Sequence, residues 1–191
     1  MMKKSLLLLA ALVLGGCATH WPESALLNPQ VIPSNQQYYS GNRITMEGVD
    51  KREAAYVFSI KKKEKAPVLV NSSQPLNSLL AEKLAEGLRS QGLEVGNSGT
   101  TNLTLAISTA AVTVEEKTFT YVTKSRVSLQ VIADFQGSKL TKQFNMSSSK
   151  ESPGEPSMAD LESTLNQQLG SVLQQIMADE ALRGYLKGQP S

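Results

Sequence analysis

Apolar and polar side chains alternate over much of residues 103–146, and this pattern constrains the fold more than any other feature of the chain. The first alternating run continues past residues 108–111 only after a slip of one position, which predicts a bulge or a bend there. The second run carries its apolar side chains at odd positions: Phe119, Tyr121, Val127, Leu129, Val131, Ala133 and Phe135. A third run, after the turn at residues 136–139, contains Leu140, Phe144 and Met146. A period of two is typical of half-buried strands, so the sequence predicts an antiparallel meander with one wet face.

Two leucine-rich segments predict amphipathic helices. The first, from about Gln74 to Gln91, ends at Gly92 and repeats apolar side chains at helical spacing: Leu76, Leu79, Leu80, Leu84 and Leu88. The second begins after Ser157, whose spacing to Asp160 is typical of a capping box, and extends to about Ile176. A short terminal helix is predicted within residues 178–187.

Shorter extended segments are predicted around residues 44–49, 56–60, 67–70 and 93–95. Two amphipathic helices need an apolar surface to cover, and the meander offers one. We therefore predict one α+β domain at residues 43–188. Its fold is expected to be a two-layer sandwich, in which an antiparallel or mixed sheet carries both helices on one face.

The N-terminus has the composition of a bacterial secretory signal. Lys3 and Lys4 precede a leucine-rich run, and small residues lead to Cys17, the only cysteine. The apolar run from Ser5 to Gly16 is far shorter than the ~20 residues of a membrane span. This length disfavours an uncleaved transmembrane helix, which is one alternative. The other alternative is ordinary signal cleavage after Ala18, which would leave a soluble protein.

Leu14-Gly15-Gly16-Cys17 resembles the lipobox of bacterial lipoproteins. The resemblance implies a signal peptide at residues 1–16, cleavage after Gly16 and lipid attachment to the thiol of Cys17. In enteric-type bacteria, Ala18 rather than aspartate after this cysteine implies sorting to the outer membrane. We expect a lipid-anchored protein whose domain faces the periplasm.

Residues 17–42 are predicted to be the lipidated N-terminus and a flexible tether, because Pro22, Pro29 and Pro33 block regular helix and central strand. The full chain has 19 Lys and Arg against 17 Asp and Glu, but the positive excess is Lys3 and Lys4 of the signal. The mature protein is therefore neutral. Neither its charge nor its location favours nucleic acid as a partner.

The sequence offers little for catalysis. Its only histidine, His20, lies three residues from the lipid, and an acylated Cys17 leaves no thiol for a nucleophile or a metal site. Glu115–Glu116 and Asp179–Glu180 are adjacent in sequence, so their side chains diverge. We expect no catalytic residue, no metal, no cofactor and no enzymatic activity.

Two features are candidate contacts. Asp50 and Arg52 form either a partner contact or an ion pair that braces a loop, and the second is favoured because surface pairs are common. The second feature comprises Lys61, Lys62, Lys63 and Lys65, diluted by Glu64. These lysines either touch anionic head groups or a glycan, or protect a strand end from aggregation, which we favour.

The chain as a whole resembles the YajG-type family of proteobacterial lipoproteins. The resemblance is carried by the lipobox with Ala18, the spacer, the segments 49–52, 88–95 and 102–105, and the C-terminal helix. It implies an outer-membrane lipoprotein and no reaction, and the family's Asp-x-Arg pattern maps to Asp50 and Arg52. We expect a non-catalytic accessory protein that docks an envelope protein. The alternative is a module that binds a glycan fragment or lipid in a groove between sheet and helices.

Overall fold

The computed structural model describes residues 21–39 and 41–188. The elements follow in the order β1 (Ser24–Ala25), β2 (Arg43–Asp50), β3 (Tyr56–Lys61), β4 (Val68–Ser72), α1 (Leu76–Ser90), β5 (Glu94–Gly96), β6 (Thr101–Glu116), β7 (Tyr121–Phe135), β8 (Ser138–Ser152), α2 (Met158–Ala178) and α3 (Glu180–Leu186). The predicted meander corresponds to β6, β7 and β8.

All eight strands belong to one mixed sheet. β6, β7 and β8 form two long antiparallel hairpins, and the second turns through Gln136 and Gly137, both at positive φ. β2 and β3 are each parallel to β6, β5 is parallel to β2, and β1 is parallel to β4. Alternation within a strand does not report the direction of its neighbour, so the sequence alone leaves these parallel pairings unspecified.

One side of β6 is shared by two strands. Residues 101–107 pair with β2, residues 112–115 pair with β3, and the ladder to β7 shifts register between Ile107 and Thr109. This shift confirms the predicted bulge. Bulges increase local twist, and right-handed twist accumulates along strands of 15 and 16 residues.

The sheet consequently curls into a half-barrel with three helices, and the predicted α+β two-layer sandwich is wrong. That prediction assumed an open sheet layer with a separate helical layer on one face. The alternation in the sequence indicates the length of the strands and the position of the bulge. It does not show that β2 and β3 pair with different parts of the same side of β6.

The helices follow the predicted pattern closely. α1 ends before Gly92, whose φ of 88° fits the left-handed position after a helix. α2 begins with the predicted capping box, in which the Asp160 backbone N–H donates to the Ser157 hydroxyl and the Ser157 backbone N–H donates to the Asp160 carboxylate. The leucine stripes of α1 and α2 are buried in one core together with the inward side chains of β6 and β7.

Residues 21–39, which we call the N-terminal strap, pack against the domain. The Gln74 amide donates to the Leu27 carbonyl (2.9 Å), and the Asn28 backbone N–H donates to the Asn166 carboxamide (2.8 Å). Further along, the Ser34 backbone N–H donates to the Ser90 hydroxyl (2.9 Å) at the end of α1. Because its contacts alternate between the two long helices, the strap runs along both of them.

The predicted flexible tether at residues 17–42 is thus corrected for residues 21–39. The prolines exclude a helix there but are compatible with an extended strap. Ala25 and Leu27 are 1% exposed, whereas the interleaved Leu26 is 69% exposed. This alternation was the available signal, and Leu26 and Ile32 obscured it because they are apolar on the exposed side.

Candidate functional site

The lipid-attachment residue Cys17 and the cleavage residue Gly16 lie outside the described residues, so their assignments stay predictions from the sequence. Within residues 21–39 and 41–188, no helix is long and apolar enough to cross a membrane. The described chain nevertheless begins at Trp21, only four positions after Cys17.

Asp50 and Arg52 come together where β2 ends and the chain leads into β3. The Arg52 guanidinium donates through Nε to Oδ1 (2.9 Å) and through Nη2 to Oδ2 (2.8 Å) of Asp50, and Nη1 donates to the Tyr56 carbonyl (3.2 Å). The Arg52 side chain is only 8% exposed. The hydrogen bond from Arg52 holds the pKa of Asp50 below its usual value.

This geometry is that of a loop brace. The bidentate pair and the bond to Tyr56 use most of the donors of Arg52, so little of its side chain is left for a partner. Asp50 retains partial exposure. Partner contact at Asp50 and Arg52 therefore stays a prediction. Asp50 is the more accessible of the two residues.

A surface notch of about 410 Å³ lies beside the brace, where β6 passes from β2 to β3. It adjoins a groove of about 580 Å³, and Tyr56, Thr109 and Ala111 line both. The groove also contains Lys124, Arg126 and several hydroxyl groups of β8. Both openings lie on the surface of the sheet, whereas the space between sheet and helices is filled by buried apolar side chains in the described part of the chain.

The lysine turn, residues 61–65 between β3 and β4, is only partly neutralised. The Lys62 ammonium pairs with Glu155 (2.8 Å), and this contact raises the pKa of Lys62. The Lys63 backbone N–H donates to the Glu116 carboxylate (3.1 Å). Among the ion pairs of the described residues, none includes Lys61, Lys63 or Lys65.

β8 forms an open edge of the sheet. It pairs with β7 over its whole length, and no other described strand pairs with it. In contrast, β1 has two residues and β5 has three. Most side chains of β8 are exposed, and near its end successive residues 147–151 are all exposed. An edge strand of this length presents a row of backbone groups that another chain can pair with.

One buried polar cluster was not found from the sequence. The Gln168 amide on α2 donates to the hydroxyls of Ser125 (2.6 Å) and Ser148 (3.0 Å). The cluster fixes α2 relative to β7 and β8, since a buried amide without partners is costly. Helical spacing placed Gln168 next to the apolar stripe, but its partners come from distant strands.

The described residues contain no group of three or more His, Cys, Asp or Glu side chains that could hold a metal ion. Seven ion pairs join charged side chains of the described residues, one of them between Lys142 and Asp179 (2.5 Å). The sequence located Asp50, Arg52 and the lysine turn. It did not determine which strand forms the open edge of the meander, because a strand at an edge has the same alternation as its neighbour.

The segment that resembles a lipobox, ahead of the described domain, indicates a lipoprotein of the bacterial envelope. The model of a family described as "Uncharacterized lipoprotein" matches residues 29–187. The chain belongs to this family, which is the YajG-type family that its sequence resembles. Membership implies attachment to a membrane through the lipidated cysteine.

Solved structures with a similar fold are distant in sequence. A DUF330 protein from Xanthomonas campestris is 10% identical, with a TM-score of 0.61, over 86% of this chain and 97% of that one. A crystal structure titled only as an uncharacterized protein is 16% identical, with a TM-score of 0.48, over 82% and 98% of the two chains. A putative neuraminyllactose-binding hemagglutinin homolog from Helicobacter pylori is 10% identical, with a TM-score of 0.40, over 88% and 97%. The first of these shares the fold, and none defines a function for this chain. No curated protein sequence matches significantly.

Proposed function

We propose that this protein is a non-catalytic accessory lipoprotein of the outer membrane that docks an envelope protein through the open edge of β8. Membership of the lipoprotein family supports the anchor, and Ala18 after Cys17 supports the outer membrane as its location. The domain would face the periplasm, held by lipid at Cys17.

The length and exposure of β8 carry the proposal. Fifteen residues at an edge are unusual, because natural sheets keep edge strands short or cover them. Lys139, Lys142 and Lys150 on β8 discourage self-association without blocking backbone groups. A partner strand added at this edge would gain affinity from backbone hydrogen bonds and specificity from alternate side chains.

The direction of individual backbone groups of β8 follows from its turn. The two-residue turn makes Phe135 and Ser138 a hydrogen-bonded pair. Hydrogen-bonded and non-hydrogen-bonded pairs then alternate along the ladder, which has no register shift. The backbone N–H groups of Asn145 and Ser147 are therefore expected to point to the open edge.

Photo-crosslinking in intact cells tests the docking. A photoreactive residue at Ser147 is expected to give one specific adduct, and the same residue at exposed Glu82 on α1 is expected to give none. Asn145→Pro removes an edge-facing donor and should abolish the adduct, whereas Asn145→Ala should retain it. Only self-adducts, or equal adducts at both positions, would count against docking at β8.

Two further variants separate the parts of the proposal. A photoreactive residue at exposed Glu53 tests for partner contact near Asp50 and Arg52. Cys17→Ser tests the anchor, and we expect this variant to leave the membrane fraction. Its continued tight association with membranes would refute lipid as the sole anchor.

The alternative, a glycan fragment or lipid bound between sheet and helices, is not supported by a cavity there. The facing side chains of this interface are among the fully buried ones, including Leu80, Leu129 and Leu169. A ligand would have to displace close-packed core side chains.

A further inference from the structure

We propose that one end of the domain lies directly on the lipid surface that holds Cys17. This end, called the turn end, consists of the lysine turn (61–65) and the turn between β6 and β7 (117–120). The proposal rests on the lipid anchor of the proposed function, and it adds which surface of the domain meets the bilayer.

The strap brings the lipid attachment point to the turn end. β1 runs parallel to β4, with Ser24 opposite Asn71, and β4 begins immediately after the lysine turn. Trp21 precedes Ser24 by three residues and therefore lies toward the beginning of β4. The chain thus enters the described structure near the turn end and runs away from it.

Contacts with α2 give the same direction independently. The backbone N–H of Leu26 donates to Glu162 (3.2 Å), and that of Ile32 donates to Gln174 (3.3 Å), so strap and helix run in parallel. α2 begins just after Glu155, which pairs with Lys62 of the lysine turn. The start of the strap therefore lies at the end of α2 that adjoins this turn.

The chain between anchor and domain is short. Cys17 and Trp21 are four positions apart, and fully extended chain spans at most about 14 Å over that distance. A lipid at Cys17 in the periplasmic leaflet of the membrane therefore keeps the turn end within reach of the head groups. A flexible tether over residues 17–42 would not have imposed this orientation.

The turn end has the side chains of a membrane contact. Phe119 is 87% exposed at the tip of its turn, the most exposed of the large apolar side chains in the described chain. Leu69 of β4, close behind the lysine turn, is 53% exposed. An aromatic ring at a turn tip gains free energy on entering the head-group region, where such rings are enriched.

The turn end also carries lysines that can contact anionic head groups. Residues 61–65 and 115–120 contain five lysines and three glutamates. Glu155 neutralises Lys62, and Glu115 pairs with Lys117 (2.8 Å). Lys61, Lys63 and Lys65 provide the remaining cations near the tip. They are opposed by Glu64, Glu116 and Glu151, and the Glu151 carboxylate accepts a hydrogen bond from the Thr120 hydroxyl (2.6 Å). The turn end therefore has little net charge, and its exposed apolar side chains carry the proposed contact.

The turn at the opposite end of β7 lacks the features of a membrane contact. β7 has 15 residues, so its two turns are separated by about 45 Å of strand. The far turn, Gln136–Gly137, carries no apolar side chain, and Tyr185 donates a hydrogen bond from its hydroxyl to the Ser138 carbonyl beside it. The two turns thus differ in the property that membrane contact requires.

Spin labels on the full lipoprotein test the proposal. Phe119→Cys and Ser138→Cys each introduce one free thiol, because the thiol of Cys17 is acylated. The labelled proteins are reconstituted in vesicles of phosphatidylethanolamine and phosphatidylglycerol, and accessibility to a water-soluble nickel relaxation agent is measured. The control is unlipidated protein in solution without detergent. Relative to this control, we expect the label at 119 to be shielded from nickel several-fold more strongly on vesicles. The label at 138 should stay fully accessible to nickel.

The outcomes separate the orientation from the anchor. If the protein floats with vesicles but both labels are equally accessible to nickel, the orientation is wrong and the anchor stands. If the protein does not float, the anchor fails and the orientation fails with it. Phe119 is exposed in a turn and Ser138 is exposed at the first residue of β8, so substitution at either position is expected to leave the fold intact.

A charge variant tests the lysine turn separately. Joint substitution of Lys61, Lys63 and Lys65 by Gln is expected to reduce shielding of the label at 119 in vesicles with phosphatidylglycerol, and to have little effect in vesicles of phosphatidylcholine. A matched substitution of Lys51, Lys139 and Lys187, which are exposed elsewhere, should change neither. Equal effects of the two triple variants would overturn the role of the lysine turn.

Discussion

The sheet has short edges at β1 and β5 and a long edge at β8, and the edges at β1 and β8 end differently. On the side of β4, two residues of β1 continue into the N-terminal strap, whose backbone N–H groups bond to side chains of α1 and α2. On the other side, β8 offers 15 residues with no partner strand in the described chain. One side is closed by the protein's own N-terminus, while the other is available to another chain.

This difference assigns separate tasks to the two sides. The strap buries Ala25 and Leu27, and in the proposed orientation it holds the start of the described chain at the membrane. The open side keeps its backbone groups accessible and its side chains polar, as a docking edge requires. Substitutions that loosen the strap, or that cap the open edge, would remove this difference between the two edges.

The largest expected effect is that of Leu27→Ala, because Leu27 is 1% exposed within the core. Truncating it leaves a cavity and should lower the free energy of unfolding by about 2–5 kcal/mol. Leu26→Ala, one position earlier but 69% exposed, should change it by less than about 0.5 kcal/mol. Urea unfolding of both variants decides the point, and equal small effects would show that the strap is not part of the fold.

Gly170→Ala should loosen the strap more selectively. A β-carbon at Gly170 would collide with the Gln30 carbonyl, whereas one at Gly184 in α3 meets nothing within 4 Å. We expect Gly170→Ala to cost about 1–3 kcal/mol and to expose the strap to limited proteolysis. Gly184→Ala should stabilise by about 0.5–1 kcal/mol, because alanine favours helix. A strap that stays protease-resistant in Gly170→Ala would contradict its close contact with α2.

Acid should weaken the loop on the closed side that leads from β2 to β3. Because Arg52 lowers the pKa of Asp50 from 3.8, the pair contributes stability above that pH, and the contribution is lost as pH falls through the lowered value. Asp50→Asn should cost about 1 kcal/mol near pH 7, and its stability should converge with that of the parent protein as the pH falls below the lowered pKa of Asp50.

The matched control for this loop is Glu53→Gln, which removes an exposed carboxylate from the same segment. Its free energy of unfolding should follow the parent within about 0.5 kcal/mol at both pH values. Denaturant titrations at pH 7 and pH 3 compare the three proteins. A pH-independent difference between Asp50→Asn and the parent would exclude the ion pair as its cause.

The smallest expected effect is a difference in amide hydrogen exchange between the strap and β8. Amide hydrogens of the strap that bond to α2, at Asn28 and Ile32, should exchange slowly with solvent. Edge-facing amides of β8, at Asn145 and Ser147, should exchange fast while the neighbouring Met146 is protected by β7. Hydrogen exchange followed by NMR resolves these sites, and uniform protection along β8 would mean that its edge is covered.

The sequence predicted the elements of the fold better than their arrangement. The meander, the bulge near residue 108, the capping box at Ser157 and the glycine after α1 were all correct, since each depends on local backbone geometry or on a period of side chains. The sandwich was wrong because curl depends on β6 being shared by β2 and β3. That sharing is a relation between segments far apart in the chain.

The candidate sites divide in the same way. Asp50 and Arg52 were recognisable because they are two residues apart, and the structure joins them as a brace. Phe119 was assigned to the buried face of the meander from its odd position, but it lies in the turn and is exposed. Alternation cannot show where a strand stops, and the exposed tip depends on the turn between β6 and β7.

From residue types and short motifs alone, the sequence predicts a lipidated cysteine ahead of the domain, and a mature part that is neutral and poor in catalytic groups. These properties follow from residue types and short motifs, which signal processing and lipidation read directly. Only the tertiary structure decided that the strap is packed, that it enters at the turn end, and that β8 is left open. Those properties arise from pairing between distant segments, where burial of apolar side chains and backbone hydrogen bonds outweighs local preference.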